Sequence, residues 1–257
     1  VDQSNSEGAL KNLKLESLWT YPVKSCKGIQ SDSLEITREG PKWDRHWMIV
    51  DENGVFLTQR QIPKMALIET MMTESSLVLR IDGTVFQVPL QAEDGPKRQV
   101  KIWKSEVEAY LEDELISNYL SEFLGKKVFL VRSIPEQRQF HIRFADSRPL
   151  QLANLDSLEA VNKKLSAPVT IERFRANIVI SGVGAFAEDT WDEFEIGGMT
   201  FKVSKPCIRC SIINVEPTTG ERPNNEPLTK LNEIHPIDGK PAFGILLLPK
   251  NAGTLAL

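Results

Sequence analysis

"NIVISGVGAFAEDTWDEFEIGGMTFKVS", residues 177–204, admits two readings that lead to different folds. Its apolar run ends in Gly182, Gly184 and Ala187, a formal match to the Gly-x-Gly-x-x-Ala turn of dinucleotide-binding proteins. That turn needs a long helix behind it to hold a pyrophosphate, and a further parallel strand after the helix. The chain instead continues through "EDTWDEFEIGG", which has no helical period, into another strand-like run. The glycines therefore read as a tight turn, and nicotinamide binding is not expected.

The same pattern of short strands extends in both directions. On the N-terminal side lie "LESLWTYPV", "SLEITRE", "WMIVDENGVFLTQR", "SLVLRIDGTVFQVPL" and "RQVKIW", with turn signals at Asn53-Gly54 and Asp82-Gly83. The second half holds "VFLVRS", "CSIINVEP" and "GILLLP" beside the opening stretch. Two helices stand out. "DELISNYLSEFLG" carries apolar residues at three and four spacings and stops at Gly125, and "NLDSLEAVNKKL" has Asn154 or Asp156 as its N-cap. Regular βαβ alternation is missing, so the expected fold is mixed but mainly β: barrel-like or strongly bent sheets with peripheral helices. The arginine-rich stretch 132–149 has no periodicity and is the expected seam. It divides an N-terminal barrel-like domain, 13–135, from a second β-barrel domain, 136–257.

Composition excludes several classes. The 257 residues are 41% hydrophobic and 26% charged with a formal charge of -4, which supplies no positive field for nucleic acid or anionic membrane. The apolar run "PAFGILLLPK" is far shorter than the ~20 residues of a membrane span and reads as a buried strand. The first residues, "VDQSNSEGALKN", lack the pattern of a signal peptide and are expected to pack against nothing. The odd count of three cysteines gives no disulfide framework, so a reducing, cytoplasmic setting is expected. The last residues, "NAGTLAL", stop on an apolar rise, from which a continuation of the natural chain is expected.

Several motifs carry possible chemistry. "KPCIRCSIINVEPTTG", residues 205–220, holds Cys207 and Cys210 in Cys-x-x-Cys spacing. A structural zinc needs more ligands than the isolated His46, His141 and His235 offer, and a thioredoxin-like dithiol needs a helix where "SIINVEP" reads as strand. A single thiolate beside Arg209 and near Lys205 suits a soft metal, while two small buried residues would be equally ordinary. "YPVKSCKG", residues 21–28, reads as an exposed loop offering Lys24, Ser25, Cys26 and Lys27, either to an oxyanion or to solvent. Arg45 lies between aromatics in "WDRHW"; Arg173 and Arg175 alternate before a buried strand; Asp146, Ser147 and Arg148 share the turn "FADSRPL". An arginine at a strand mouth is either salt-bridged or aimed at an anion. Taken together, the set suggests an anionic cofactor carrying a soft metal.

In this order, "YPVKSCKG", "WDRHWMIVDENGVFLTQRQ", "RFRANIVISG", "EDTWDEFEIGG" and "PCIRCSIINVEPTTG" resemble the MOSC-domain proteins. The likeness runs from about Leu13 to the C-terminus and takes in the mitochondrial amidoxime-reducing components and their bacterial counterparts. It implies a barrel-like N-terminal region joined to a MOSC β-barrel, with a molybdenum–molybdopterin cofactor between them; pyridoxal phosphate is not expected. The second cysteine of the motif, Cys210, would ligate molybdenum, and Cys207 would be a bystander. The pterin and phosphate contacts would fall on Lys24, Ser25, Arg45, Ser147, Arg148, Arg175 and Asn177, with Ile208 and Arg209 flanking the metal ligand. Asp146 would relay protons. Two positions depart from the family pattern: Ile208 stands where serine is common, and Arg148 where mitochondrial members have a small hydroxyl residue. The resemblance implies an enzyme, a molybdenum-dependent oxidoreductase that reduces N-hydroxylated compounds such as amidoximes, hydroxylamines and N-hydroxylated base analogues. Electrons would come from a separate ferredoxin-like or flavin-containing reductase. The alternative is a cofactor carrier or sulfur-handling MOSC protein.

Overall fold

The computed structural model describes residues 12–91, 95–134, 137 and 142–257. The expected disengagement of the first residues lies almost wholly outside this range, as does His141. Alternation of apolar and polar residues builds strands, and these assemble into one large sheet and three smaller ones. The large sheet runs in the order Glu193–Ile196, Met199–Ile208, Lys240–Pro249, Leu150–Asn154, Ile178–Ser181, Lys14–Thr20 and Ile29–Ser31. The N-terminal strand thus pairs with Ile178–Ser181, on the other side of the sequence seam. A three-stranded sheet also crosses that seam, pairing Gly253–Ala256 with Ser33–Thr37, whose other neighbour is Gly40–Pro41.

The remaining sheets come from the first half. One orders Trp47–Asp51, Val128–Ser133, Ser105–Leu111 and Lys97–Ile102; the other is the meander Glu69–Met72, Ser76–Ile81 and Thr84–Pro89. "VFLVRS", grouped above with the second-half strands, pairs with Trp47–Asp51 of the first half, on the N-terminal side of the expected seam. The meander turns at Asp82-Gly83, both at positive φ, as the sequence signal requires. The long strand Met199–Ile208 changes register twice against Lys240–Pro249, once before Lys205 and once before Ile208. Such irregularities bend a strand, and this one ends at Ile208, so that Arg209 and Cys210 leave the sheet just beyond it.

Three α-helices lie at the periphery among the described residues. Glu114–Leu124 is capped by Asp113, whose side chain accepts from the Leu115 amide, and ends at left-handed Gly125. Asn154, rather than Asp156, caps Leu155–Asn162 by accepting from the Asp156 amide. The third, Glu226–Ile234, was not foreseen; its Pro227 lies in the first turn, where a missing amide costs no helix hydrogen bond. Another correction concerns "CSIINVEP", where Ser211–Asn214 forms a 3₁₀ turn instead of a strand. β-branched residues suggest extended backbone, but Ile213 is buried in an apolar cluster that one tight turn satisfies. None of the described helices is long and apolar enough to cross a membrane.

Candidate functional site

Tyr21 to Cys26 run alongside Asp44 to Trp47, tied by amide bonds from Arg45 to Tyr21, Trp47 to Pro22 and Lys24 to Trp47. This pairing buries the segment that read as an exposed loop. Lys24 and Ser25 are buried, Cys26 is fully buried, and only Lys27 and Gly28 keep some exposure. Burial pushes the Cys26 thiol up to about 12, although Arg175 pulls the other way, so it is an unreactive core residue. A side chain at Gly28 would overlap the Tyr21 ring, so the turn tolerates none there.

Asp44 organises this junction from below. Its carboxylate accepts from the Tyr21 amide at 2.8 Å, the Asn177 side-chain amide at 3.1 Å and the Arg45 guanidinium at 2.6 Å. Asn177 also donates to the Trp19 carbonyl and accepts from the Gln151 amide. Its polar atoms are therefore engaged in holding strands together. Arg45 reaches across the seam to the Arg175 carbonyl at 3.0 Å. The guanidiniums of Arg45 and Arg175 lie 4.4 and 4.3 Å from the centre of the Tyr21 ring. Burial lowers Arg175 to about 10, so it remains a cation at neutral pH. Ser25, Arg45 and Arg175 all have positive φ, a strained conformation for such residues that concentrates at functional sites.

Above this junction opens a cleft of ≈ 830 Å³ of empty space, solvent at its mouth included. Its walls contain Lys24, Ser25, Arg45, Asp146, Ser147, Arg148, Arg175, Asn177, Ile208, Arg209 and Cys210. All eleven residues singled out from sequence are thus brought together, from five separate segments. Five cations face two carboxylates, Asp44 and Asp146, which makes the cleft an anion site.

Lys24 donates to Asp146 Oδ1 at 2.5 Å and to the Phe144 carbonyl at 2.9 Å. Asp146 Oδ1 also accepts from Trp103 Nε1 at 2.9 Å, although 64% of its side chain faces solvent. The surrounding walls disfavour ionisation, but the Lys24 charge and hydrogen bond outweigh them, helped by Trp103 and Arg45. The carboxyl is held well below its usual range. Arg148 donates to Ser204 Oγ and the Ser147 carbonyl. Arg173, the neighbour in alternation with Arg175, is instead salt-bridged to Glu216 at 2.5 Å.

The two cysteines differ sharply. Cys207 is buried and its sulfur accepts from Arg209 Nη1 at 2.9 Å, while Arg209 Nη2 donates to the Phe174 carbonyl at 2.6 Å. Arg209 thus donates to Cys207, the cysteine that the resemblance makes the bystander. Cys210 is exposed at the start of the 3₁₀ turn, with its thiol on the cleft. Among the described residues, no group of three or more Cys, His, Asp or Glu side chains could hold a metal ion. Arg175 Nη2 and Arg209 Nε are buried without hydrogen-bond partners among the described residues. Orphaned donors beside a cationic cleft with one accessible thiol fit an anionic group carrying a soft metal.

The profile of the MOSC N-terminal beta barrel domain matches residues 12–127, and that of the MOSC domain matches residues 139–256. Mitochondrial amidoxime-reducing component 1 of Mus musculus is 31% identical over 266 residues, covering 93% of this chain and 78% of that protein. The chain belongs to the MOSC family. Mitochondrial amidoxime reducing component 2 of Bos taurus is 28% identical across 94% of this MOSC chain and 80% of its own length. The molybdenum cofactor sulfurase of Drosophila erecta is 34% identical over 91% of the chain. This chain spans only about a third of the sulfurases it matches, 31% in that case. Family membership associates the chain with molybdenum-cofactor chemistry.

Sequence reasoning missed Asp44, Tyr21 and Trp103. Asp44 stood inside a motif already quoted, but its partners are 23 and 133 residues away.

Proposed function

We propose that this MOSC protein is a molybdenum-cofactor-dependent reductase of N-hydroxylated compounds, fed by a separate ferredoxin-like or flavin-containing reductase. The observation that carries the reading is the convergence of five cations and the exposed Cys210 on one cleft, beside guanidinium donors that find no partner among the described residues. Arg45, Arg148, Arg175 and Arg209 would neutralise the pterin phosphate and dithiolene. Ser25 and Ser147 would offer polar contacts along the cleft, Ile208 an apolar wall, and Asn177 the strand junction beneath. Cys210 would be the protein's ligand to the metal. When bound, the cofactor would supply the two electrons that cleave an N–O bond.

The chain's own share of the chemistry is orientation and protons. Converting N–OH to N–H and water consumes two electrons and two protons. Lys24 Nζ and Asp146 Oδ1, 2.5 Å apart, form a donor–acceptor pair at the cleft edge. Because Asp146 is ionised, the proton available to substrate sits on Lys24; once that proton has left, the charge that keeps Asp146 ionised is gone, and the carboxylate can take a solvent proton and return it to Lys24. Asp146 thus relays protons through its partner.

Identity to the sulfurases supports a second reading, a carrier or sulfur-handling protein that uses the same cysteine. Turnover separates the two. Cofactor-loaded protein supplied with reduced methyl viologen is expected to convert benzamidoxime to benzamidine. Cys207→Ser should retain most of that rate, and Cys210→Ser should lose at least a hundredfold. Loaded wild-type protein without turnover would favour the carrier reading.

A further inference from the structure

Beside the cleft, the hairpin joining Lys97–Ile102 to Ser105–Leu111 turns at Trp103 and Lys104. Turn positions in such hairpins favour glycine, asparagine or aspartate, yet Trp103 occupies this one at a φ of 55°. Its indole is 45% exposed, and its ring nitrogen donates to Asp146 on the cleft wall at 2.9 Å. The ring packs against Phe56 with centres 5.1 Å apart, and the Arg60 guanidinium lies 4.6 Å from its centre. Arg60 itself is anchored through Nε to Thr58 Oγ1 at 3.1 Å, and its backbone carbonyl accepts from Arg222 at 2.7 Å. Among the described residues it has no carboxylate partner, so its terminal nitrogens present an uncompensated charge.

We propose that Trp103 and Arg60 are specificity-determining residues: Trp103 stacks the ring of a planar aromatic substrate, and Arg60 pairs with a carboxylate carried on that ring. The inference rests on the reductase reading and narrows its substrate class to aromatic N-hydroxylated acids. Three observations converge on it. An aromatic residue in an unfavourable turn conformation is held by a hydrogen bond to a carboxylate of the cleft wall. Its bond to Asp146 places it one residue from the proton-carrying Lys24, so a ring stacked there has its N–OH group beside the pair. The charges flanking the platform without an ion-pair partner among the described residues, Arg60 and the turn neighbour Lys104, are both positive, and Arg60 is fixed from two sides. Aliphatic N-hydroxylated compounds could reach Lys24 but would gain nothing from the indole face.

The test is binding rather than turnover. Acetamidoxime, benzamidoxime and a carboxylated benzamidoxime are titrated by calorimetry into oxidised, cofactor-loaded wild type, Trp103→Ala, Trp103→Phe and Arg60→Ala, after thermal melts establish folding. Wild type should rank the carboxylated ring tightest and acetamidoxime weakest. Trp103→Ala should reduce the preference for benzamidoxime over acetamidoxime about tenfold, as expected for loss of an aromatic pair. Trp103→Phe should restore most of that preference, because it keeps a ring while losing the bond to Asp146. Arg60→Ala should erase the advantage of the carboxylate and leave the benzamidoxime preference in place. A Trp103→Ala protein with the wild-type ranking would overturn the stacking role, and an Arg60→Ala protein that keeps the carboxylate advantage would overturn the pairing role. Wild type that binds none of the three would remove the reductase reading and this inference with it.

Discussion

At the scale of single residues, the junction beneath the cleft shows how buried polar groups fix a site. Asp44 accepts from three donors on three segments, so it is a fully satisfied carboxylate whose loss would strand Arg45 and Asn177 together. Next to it, His46 behaves oppositely. Its ring packs on Trp43 and Trp47 and meets Ser133 Oγ through Nδ1 at 2.9 Å. Burial, then the charges of Arg143 and Arg132, pull its pKa down to about 3. An unfolded histidine titrates near 6.5, so between these values the unfolded chain binds the extra proton. The stability associated with neutral His46 is complete above pH 6.5 and is lost as pH falls toward 3. Urea unfolding at pH 7 and pH 5 should show a loss of about 2 kcal/mol that His46→Gln removes. Equal pH dependence in the two proteins would contradict the assignment.

At the scale of elements, local patterns were legible and long-range pairings were not. Alternation and Asp-Gly gave the meander, and apolar spacing with Gly125 gave the helix Glu114–Leu124. The turn at Ser211–Asn214 was misread because β-branched residues speak for extended backbone only until packing overrules them. Nothing in "TLA" indicates that Gly253–Ala256 pairs with Ser33–Thr37. Leu255 on that strand is fully buried in the cluster with Leu34, Ile36 and Phe201, and a side chain at Gly197 would press on its methyl group. Leu255→Ala should cost 2–5 kcal/mol, roughly the range for large-to-small core changes, read as a lower urea midpoint with an unchanged slope. A loss below about 0.5 kcal/mol, typical of surface changes, would mean that the strand is peripheral to folding.

At the scale of the whole molecule, the cleft exists because strands from both sides of the seam share sheets. Lys24 and Arg45 come from one side, and Asp146, Arg175 and Cys210 from the other. The residues of the site were legible because cations, hydroxyls and a thiol stand in turns beside apolar strands and follow a family order. Their supports were not, since Asp44, Tyr21 and Trp103 gain meaning only from partners distant in sequence. The exposed "YPVKSCKG" loop was the main misjudgement at this scale. Its cationic look concealed a segment buried by pairing with residues 44–47 and by packing in the first-half core.

The central claim is that this cleft holds a molybdenum–pterin group through Cys210. Elemental analysis of protein from a cofactor-competent host, with pterin fluorescence after denaturation, addresses it without any need for substrate or electron donor. Wild type and Cys207→Ser should carry near-stoichiometric molybdenum and pterin, whereas Cys210→Ser should lose metal or change its absorption. Molybdenum and pterin absent from all three, or retained with unchanged absorption by Cys210→Ser, would contradict the account.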